Sequence, residues 1–115
     1  MTDCIFCKIA AHELDADIVY EDDDVIAFED MNPQTPVHTL LIPKKHYDNL
    51  SDDVDEALLG TLFGKVPLIA RLKGIEESGY RIVANTGAHG RQTVYHLHIH
   101  ILGGANMPIS MGPAD

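Results

Sequence analysis

From Tyr95 to Leu102 the chain reads Tyr-His-Leu-His-Ile-His-Ile-Leu. His96, His98 and His100 alternate with Leu97, Ile99 and Ile101. A period of two is a strand period, and successive strand side chains point to opposite faces. One face of this segment is therefore apolar and suited to a core. The other presents three imidazoles in a row, which are poor material for burial. Three uses of such a face compete. It could be the polar side of a half-exposed strand, although Thr, Lys or Glu would serve equally well there. It could be a metal site, since neutral imidazole is a common metal ligand. It could attack phosphorus, one ring acting as nucleophile while its neighbours and backbone N–H groups hold the oxygens.

The pattern His-φ-His-φ-His-φ-φ, with φ apolar, is met at every position from His96 to Leu102. It resembles the histidine triad (HIT) family of nucleotide hydrolases and transferases. Further stretches look like the nucleotide-binding branch of that family. They are Asp3 to Ile9, Val19 to Asp22, Ala27 to Asp30, Pro36 to His38, Leu41 to His46, and Gly103-Gly104. The resemblance runs in order over nearly the whole chain.

At 115 residues the length suits one domain, 1–115, small enough for dimerisation to add useful burial. No apolar run approaches the length of a bilayer span. The acidic start Met1-Thr2-Asp3 lacks the basic region of a secretory signal, so a cytoplasmic setting is expected. Eight basic residues against 18 acidic ones give a formal charge of −10. That balance argues against binding nucleic acid or anionic membrane through a general positive field. A phosphate ligand would have to be held by local donors.

Cys4 and Cys7 form a lone C-x-x-C. A structural disulfide is not expected in the cytoplasm, and no βαβ pattern surrounds the pair to suggest a redox motif. Plain buried thiols and half of a zinc site remain as readings. Zinc-carrying members of the family complete the site with the histidine after Pro-Lys-Lys and the first triad histidine. The resemblance therefore implies a structural zinc on Cys4, Cys7, His46 and His96. It implies no catalytic cofactor.

Along the chain, Cys4 to Ala11 suits a short helix, and His12 an exposed loop without an evident partner. Ile18 to Glu21 and Val25 to Glu29 read as a hairpin around Asp22-Asp23-Asp24, whose charges are expected in solvent. His38 to Pro43 reads as a covered central strand. Ser51-Asp52-Asp53 offers a helix cap, and Val54, Leu58, Leu62, Val66 and Ile69 mark one buried helical face. Pro67 should kink or divide that helix. Tyr80 to Ala84 and Val94 to Leu102 are the fourth and fifth strands, and the tail 103–115 is expected to be irregular. The sum is an α+β protein. It has a five-stranded, mainly antiparallel sheet, one main helix and a short N-terminal helix. The HIT-like fold shares this arrangement. By resemblance it pairs through the main helix and fourth strand into a homodimer with one continuous ten-stranded sheet.

Attack on the α-phosphorus of a nucleotide needs an unprotonated imidazole near neutral pH, which histidine supplies. It also needs the right tautomer, with the rear nitrogen donating to a carbonyl. The family's nucleophile is the central triad position, here His98, and the implied intermediate is a nucleotidyl-histidine. His100 follows on the same face as a donor to the phosphate oxygens. Resemblance places His38 beside the central histidine as an orienting group and Asp30 on the ribose hydroxyls. It places Asn85, Gln92 and Thr93 near the phosphate and leaving group. Ile5, Phe6 and Phe28, with Ile9 and Leu40, match the apolar slot for the purine. Arg91 departs from the family's Gly-Gln-Ser, where glycine takes positive φ at little cost. Either the backbone there is unstrained or Gly90 takes up the turn. The tail also lacks the tryptophan that many relatives carry. The implied activity is hydrolysis of nucleoside 5′-phosphoramidates. A dinucleoside polyphosphate hydrolase is one alternative. A nucleotide-binding interaction module is another.

Overall fold

The computed structural model describes residues 4–108. Ile5–Ala10 forms helix α1, with Cys4 as its N-cap, and the Cys4 Sγ accepts from the Cys7 N–H. Strands β1 (Ile18–Glu21) and β2 (Val25–Glu29) form the expected hairpin. Asp22 organises its turn, accepting at Oδ1 from the N–H groups of Asp24 and Val25 and at Oδ2 from the Tyr20 hydroxyl. This acidic run is therefore not simply solvated charge. Burial opposes ionisation of Asp22, but these donors and Lys65 hold its carboxyl down to about 2. His12 is exposed as expected, but it has a partner, with Nε2 lying 2.7 Å from the Glu21 carboxylate.

Strand β3 (Val37–Pro43) is central and almost wholly buried. Helices α2 (Glu56–Gly64) and α3 (Val66–Leu72) follow, then β4 (Tyr80–Val83) and β5 (Ile99–Gly103). The strands make one antiparallel sheet in the order β1-β2-β3-β5-β4.

The helical segment is divided, one of the two outcomes expected of Pro67, into helices that meet at Lys65, with Pro67 in the first turn of α3, where its missing N–H costs nothing. Two boundaries differ from the sequence reading. The cap is Asp55 rather than Ser51 to Asp53. Those residues are spent on a tight turn, with Ser51 N–H bound to the Asn49 side chain and Asp52 Oδ2 to the Asp48 N–H. The fifth strand also begins later than expected, at Ile99. Before it the ladder gives way to loop contacts. The Leu97 N–H donates to the Tyr47 carbonyl and the Val94 carbonyl accepts from Gln92.

The sheet separates two cores. Val25, Ala27, Leu41, Leu97, Ile99 and Ile101 pack with Leu62, Val66 and Ile69 under α2 and α3. Ile26, Phe28, Leu40 and Ile42 pack with Phe6 on the opposite face, under α1. The β3–β5 register sets Leu40 opposite His100 and His38 opposite Leu102. Residues that face each other across antiparallel strands share a sheet face, so His38 and His100 stand diagonally on the α1 side. The residues expected in the tail beyond 108 lie outside the described part.

Candidate active site

Alternation holds through the triad even where the ladder does not. Leu97, Ile99 and Ile101 enter the helix-side core, while His96, His98 and His100 turn the other way and are buried. His98 Nδ1 lies 2.7 Å from the His96 carbonyl oxygen. A carbonyl only accepts, so Nδ1 carries the proton and the Nε2 of neutral His98 bears the lone pair.

The ring of His100 takes the opposite tautomer. The Gln34 N–H donates to His38 Nδ1 at 2.9 Å, which leaves the proton of neutral His38 on Nε2. His38 Nε2 is 2.8 Å from His100 Nδ1, so His38 donates and His100 accepts. The His100 proton then belongs on Nε2. Asp30 Oδ2 lies 3.3 Å from His38 Nε2, at ion-pair distance. Burial pushes His38 below its ordinary pKa, and His100 pushes the same way, while Asp30 works against them. His38 thus orients the third triad histidine, not the central one as expected. The register is the reason, since Leu102 faces His38 and His100 stands one diagonal away.

His98 and His100 line a cavity of about 710 Å³. Ile5, Phe6, Ile9, Phe28 and Leu40 form its apolar part, and Asp30 is among its lining residues. Phe6 packs edge-on against His98, with ring centroids 5.1 Å apart. Residues 14–17, Met31 and Val94 also line the cavity and were missed from the sequence. Leu14-Asp15-Ala16-Asp17 has no periodicity and precedes the first strand, so nothing local marks it.

His96 leaves this cavity. Its Nε2 donates to the Pro43 carbonyl at 2.8 Å, and its Nδ1 meets Cys4 Sγ at 3.3 Å, Cys7 Sγ at 3.4 Å and His46 Nδ1 at 3.2 Å. His46 Nε2 is held by the Asp48 carboxylate at 2.8 Å, and its Nδ1 is 3.2 Å from Cys7 Sγ. Both Nε2 atoms therefore carry protons, and two bare Nδ1 lone pairs point at one another. Burial pushes His96 down to about 4, so an extra proton does not relieve this. Burial, with Cys4 beside it, pushes the Cys7 thiol up to about 11. A shared cation would satisfy all four groups. Bonds of roughly 2.0–2.3 Å in a tetrahedral zinc site imply ligand spacings of roughly 3.3–3.8 Å, close to those found. Asp48 and Pro43 supply the outer hydrogen bonds such sites use. The 2.8 Å between His38 and His100 is, by contrast, a hydrogen-bond distance.

The HIT domain model matches residues 11–107. This chain belongs to the HIT family. Protein HitA of Neisseria gonorrhoeae is 50% identical over 105 residues, covering 90% of this chain and 97% of that protein. The purine nucleoside phosphoramidase of Escherichia coli K12 is 46% identical, covering 87% of this chain and 86% of its own. Among solved structures, a histidine triad protein from Clostridium difficile superposes with a TM-score of 0.92. It is 45% identical and covers 96% of this chain and 98% of its own. A HIT family hydrolase from Legionella pneumophila superposes at 0.90, with 43% identity and coverage of 95% and 99%. The chain is accordingly a HIT-family nucleotide hydrolase.

The loop before the triad of this HIT protein differs from expectation in two ways. Gln92 is buried, and its side chain turns inward. Its Nε2 donates to the carbonyls of Asp48 (2.7 Å) and Val94 (3.0 Å), and its Oε1 accepts from the Gly87 N–H and Asn49 Nδ2. With both ends engaged, this amide holds the loop rather than a phosphate. Arg91, not Gly90, takes the turn, with φ of 65°. Gly90 serves another need, since a Cβ there would lie 2.5 Å from the Thr86 carbonyl oxygen. Asn85 is half-buried away from the main cavity lining, and exposed Thr93 lines a neighbouring depression.

Proposed function

We propose that this HIT protein hydrolyses the P–N bond of purine nucleoside 5′-phosphoramidates, giving a nucleoside monophosphate and an amine. One observation carries the reading. Two imidazoles on one cavity wall hold opposite tautomers, a lone pair on Nε2 of His98 and a proton on Nε2 of His100. That is the division of labour needed to attack phosphorus and to hold the oxygens that gain charge.

The purine lies between Phe6, Ile5, Ile9, Phe28 and Leu40, and the ribose hydroxyls reach Asp30. The name of the relative from E. coli supports the purine and the P–N bond. His98 Nε2 attacks the α-phosphorus and the P–N bond breaks, the amine taking a proton from solvent that the attacking water of the second step gives back. Water then attacks phosphorus, and the P–Nε2 bond breaks to restore His98. His100 donates to a non-bridging oxygen in both steps, and His38 keeps it in the donating tautomer. Backbone donors around Thr93 complete the oxygen contacts.

Cys4, Cys7, His46 and His96 fit a structural zinc, which would fix α1 against the triad segment. The chemistry proceeds at His98 without it. Two chains pair through the helical segment α2–α3 and β4. In support, β4 lies at the sheet edge, and Leu72 and Ile82 are 54% and 39% exposed. The two cysteines are free, in keeping with a cytoplasmic setting. The charge of −10 suits a small nucleotide held by local donors better than a nucleic acid or membrane surface.

Intact-mass spectrometry during turnover of an adenosine phosphoramidate tests the reading. A nucleotide adduct is expected on the wild type. It should be absent from His98→Asn, which should still bind the nucleotide. Substantial turnover by His98→Asn would refute the nucleophile.

A further inference from the structure

The loop from Gly87 to Gln92 closes on two backbone hydrogen bonds. Gln92 N–H reaches the Gly87 carbonyl at 3.1 Å, and Arg91 N–H reaches the Ala88 carbonyl at 3.0 Å. This is the bond pair of a Schellman closure, whose penultimate residue must adopt the left-handed region and is usually glycine. Here that residue is Arg91, with φ of 65°. A side chain with a Cβ is costly at such a position, and glycine would relieve the cost. Gly90 cannot share the burden, because its lack of Cβ is already needed against Thr86.

The guanidinium sits at this cost without an internal use. Arg91 is exposed and, among the described residues, has no carboxylate partner. Lys44, Lys65, Arg71 and Lys73 each have one; Lys45 lies over the Tyr47 ring, and Lys8 also lacks a carboxylate among the described residues but sits on unstrained helix α1. In a chain of net charge −10, an unpaired cation at a strained position calls for an external partner.

Its position suggests which partner. Two residues on, Thr93 lines a depression of about 420 Å³ with Cys4, Ile5, Val94 and Tyr95. Ile5 and Val94 also line the main cavity, so the two hollows adjoin. The nucleotide occupies the first, and the group expelled by His98 needs the second. The lining of the first includes Asp15, Asp17 and Asp30, which repel an anion. The loop holding Arg91 attracts one.

We propose that Arg91 is a specificity-determining residue that receives the anionic group of a charged leaving group in the depression formed by Cys4, Ile5, Thr93, Val94 and Tyr95. This rests on the phosphoramidase reading above. The favoured substrate is then a nucleoside phosphoramidate whose amine carries a negative group.

The test compares adenosine 5′-phosphoramidates of glycine and of glycine methyl ester, which share the P–N bond and differ by one charge. The readout is the ratio of kcat/KM for carboxylate over ester, taken for wild type, Arg91→Gln and Arg91→Lys. Comparing ratios between proteins cancels the intrinsic difference in leaving-group reactivity. The Gln variant keeps the backbone strain and removes only the charge. Its ratio should fall by roughly threefold to tenfold, as for a charge pair at a partly exposed rim. Lys should restore part of the ratio, and added salt should lower the wild-type ratio toward that of Gln. A dinucleoside polyphosphate forms a third arm. A matching loss there extends the site to phosphates, and a loss confined to glycine assigns it to carboxylates. A ratio unmoved by Arg91→Gln, with both substrates turned over, overturns the role of the arginine alone. Failure of the wild type to cleave any of them overturns the phosphoramidase reading and this inference with it.

Discussion

His38→Phe should slow the chemical step without touching either hollow where substrate sits. The side chain of His38 is 1% exposed, so a ring of similar size keeps the packing and removes only the polar function. Two things are lost. The Nε2 proton no longer reaches His100 Nδ1 across 2.8 Å, and the Gln34 N–H loses its acceptor. Gln34 is exposed and can turn to water. His100 is 1% exposed and cannot, so an unpaired Nδ1 would cost ~1–3 kcal/mol. The cheaper course is for His100 to move its proton from Nε2 to Nδ1. That turns a donor facing the phosphate into a lone pair. Loss of one preorganised donor to a developing oxyanion costs ~2.7–4 kcal/mol of barrier, or roughly 10²- to 10³-fold in kcat. An incomplete tautomer shift gives less, so the expected fall is at least ~10-fold.

Two measurements together decide this. Steady-state kinetics on an adenosine phosphoramidate should show the loss chiefly in kcat, since ground-state contacts remain. Nitrogen-15 NMR of the imidazoles should show the His100 proton moved to Nδ1. His38→Gln, which can offer an N–H near the old Nε2, should lie between wild type and Phe. Activity within about threefold of wild type in His38→Phe, or an unchanged His100 tautomer with a large loss of rate, would refute the reasoning.

Other expectations follow from the same geometry. Burial depresses the pKa of His38 in the folded protein, so its protonation favours the unfolded chain. The stabilisation is present above about pH 6.5 and is lost as pH falls from there through the folded value. Urea melts at pH 7.5 and 5 should therefore show a larger loss in the wild type than in His38→Phe, which keeps the share due to buried His96, and equal losses would count against it. Chelation, or Cys7→Ser, should lower Tm while leaving kcat within a fewfold below the new melting range, and loss of kcat before loss of ellipticity would give the metal a chemical role. Adjacent loop positions should respond with opposite signs. Gly90→Ala forces a Cβ to 2.5 Å from the Thr86 oxygen and should cost roughly 1–3 kcal/mol. Arg91→Gly relieves the left-handed strain and should gain ~1 kcal/mol, and a loss of stability there would contradict the loop closure described.

Much of the architecture was written locally in the chain. Alternation in Leu97, Ile99 and Ile101 announced which side of the triad meets the helices. The aspartates at 22–24 marked the hairpin, and Pro67 marked a broken helix. What sequence reasoning misplaced depended on competition for the same groups. Ser51 to Asp53 looked like a helix cap, but Asn49 and Asp48 claimed those residues for a turn. Gln92 looked like a ligand contact, but the carbonyls of Asp48 and Val94 claimed its amide. The first rivalry is local, between residues two and four apart, whereas the second becomes visible only when Asp48, 44 positions away, is brought alongside Gln92. Arg91 differs in kind. Its positive φ follows from a closure that sequence could suggest only through glycine, and glycine is absent there.

The three triad imidazoles face one way, yet the group behind each ring gives it separate work. Pro43, fifty-three positions from His96, takes the Nε2 proton and turns Nδ1 toward the cysteines. The His96 carbonyl takes the Nδ1 proton of its neighbour, so His98 presents Nε2 as a base. His38 gives a proton where the other two partners take one, and His100 becomes a donor. Period-two spacing can set direction but not protonation, because protonation depends on partners contributed by β3 and by the main chain. A ring substitution removes binding surface and proton together, whereas a change behind the ring reassigns only the proton. Position 38 therefore tests the chemistry of this site more sharply than the histidines that define the motif, whereas at position 34 only proline, which lacks the N–H, would reach the same proton.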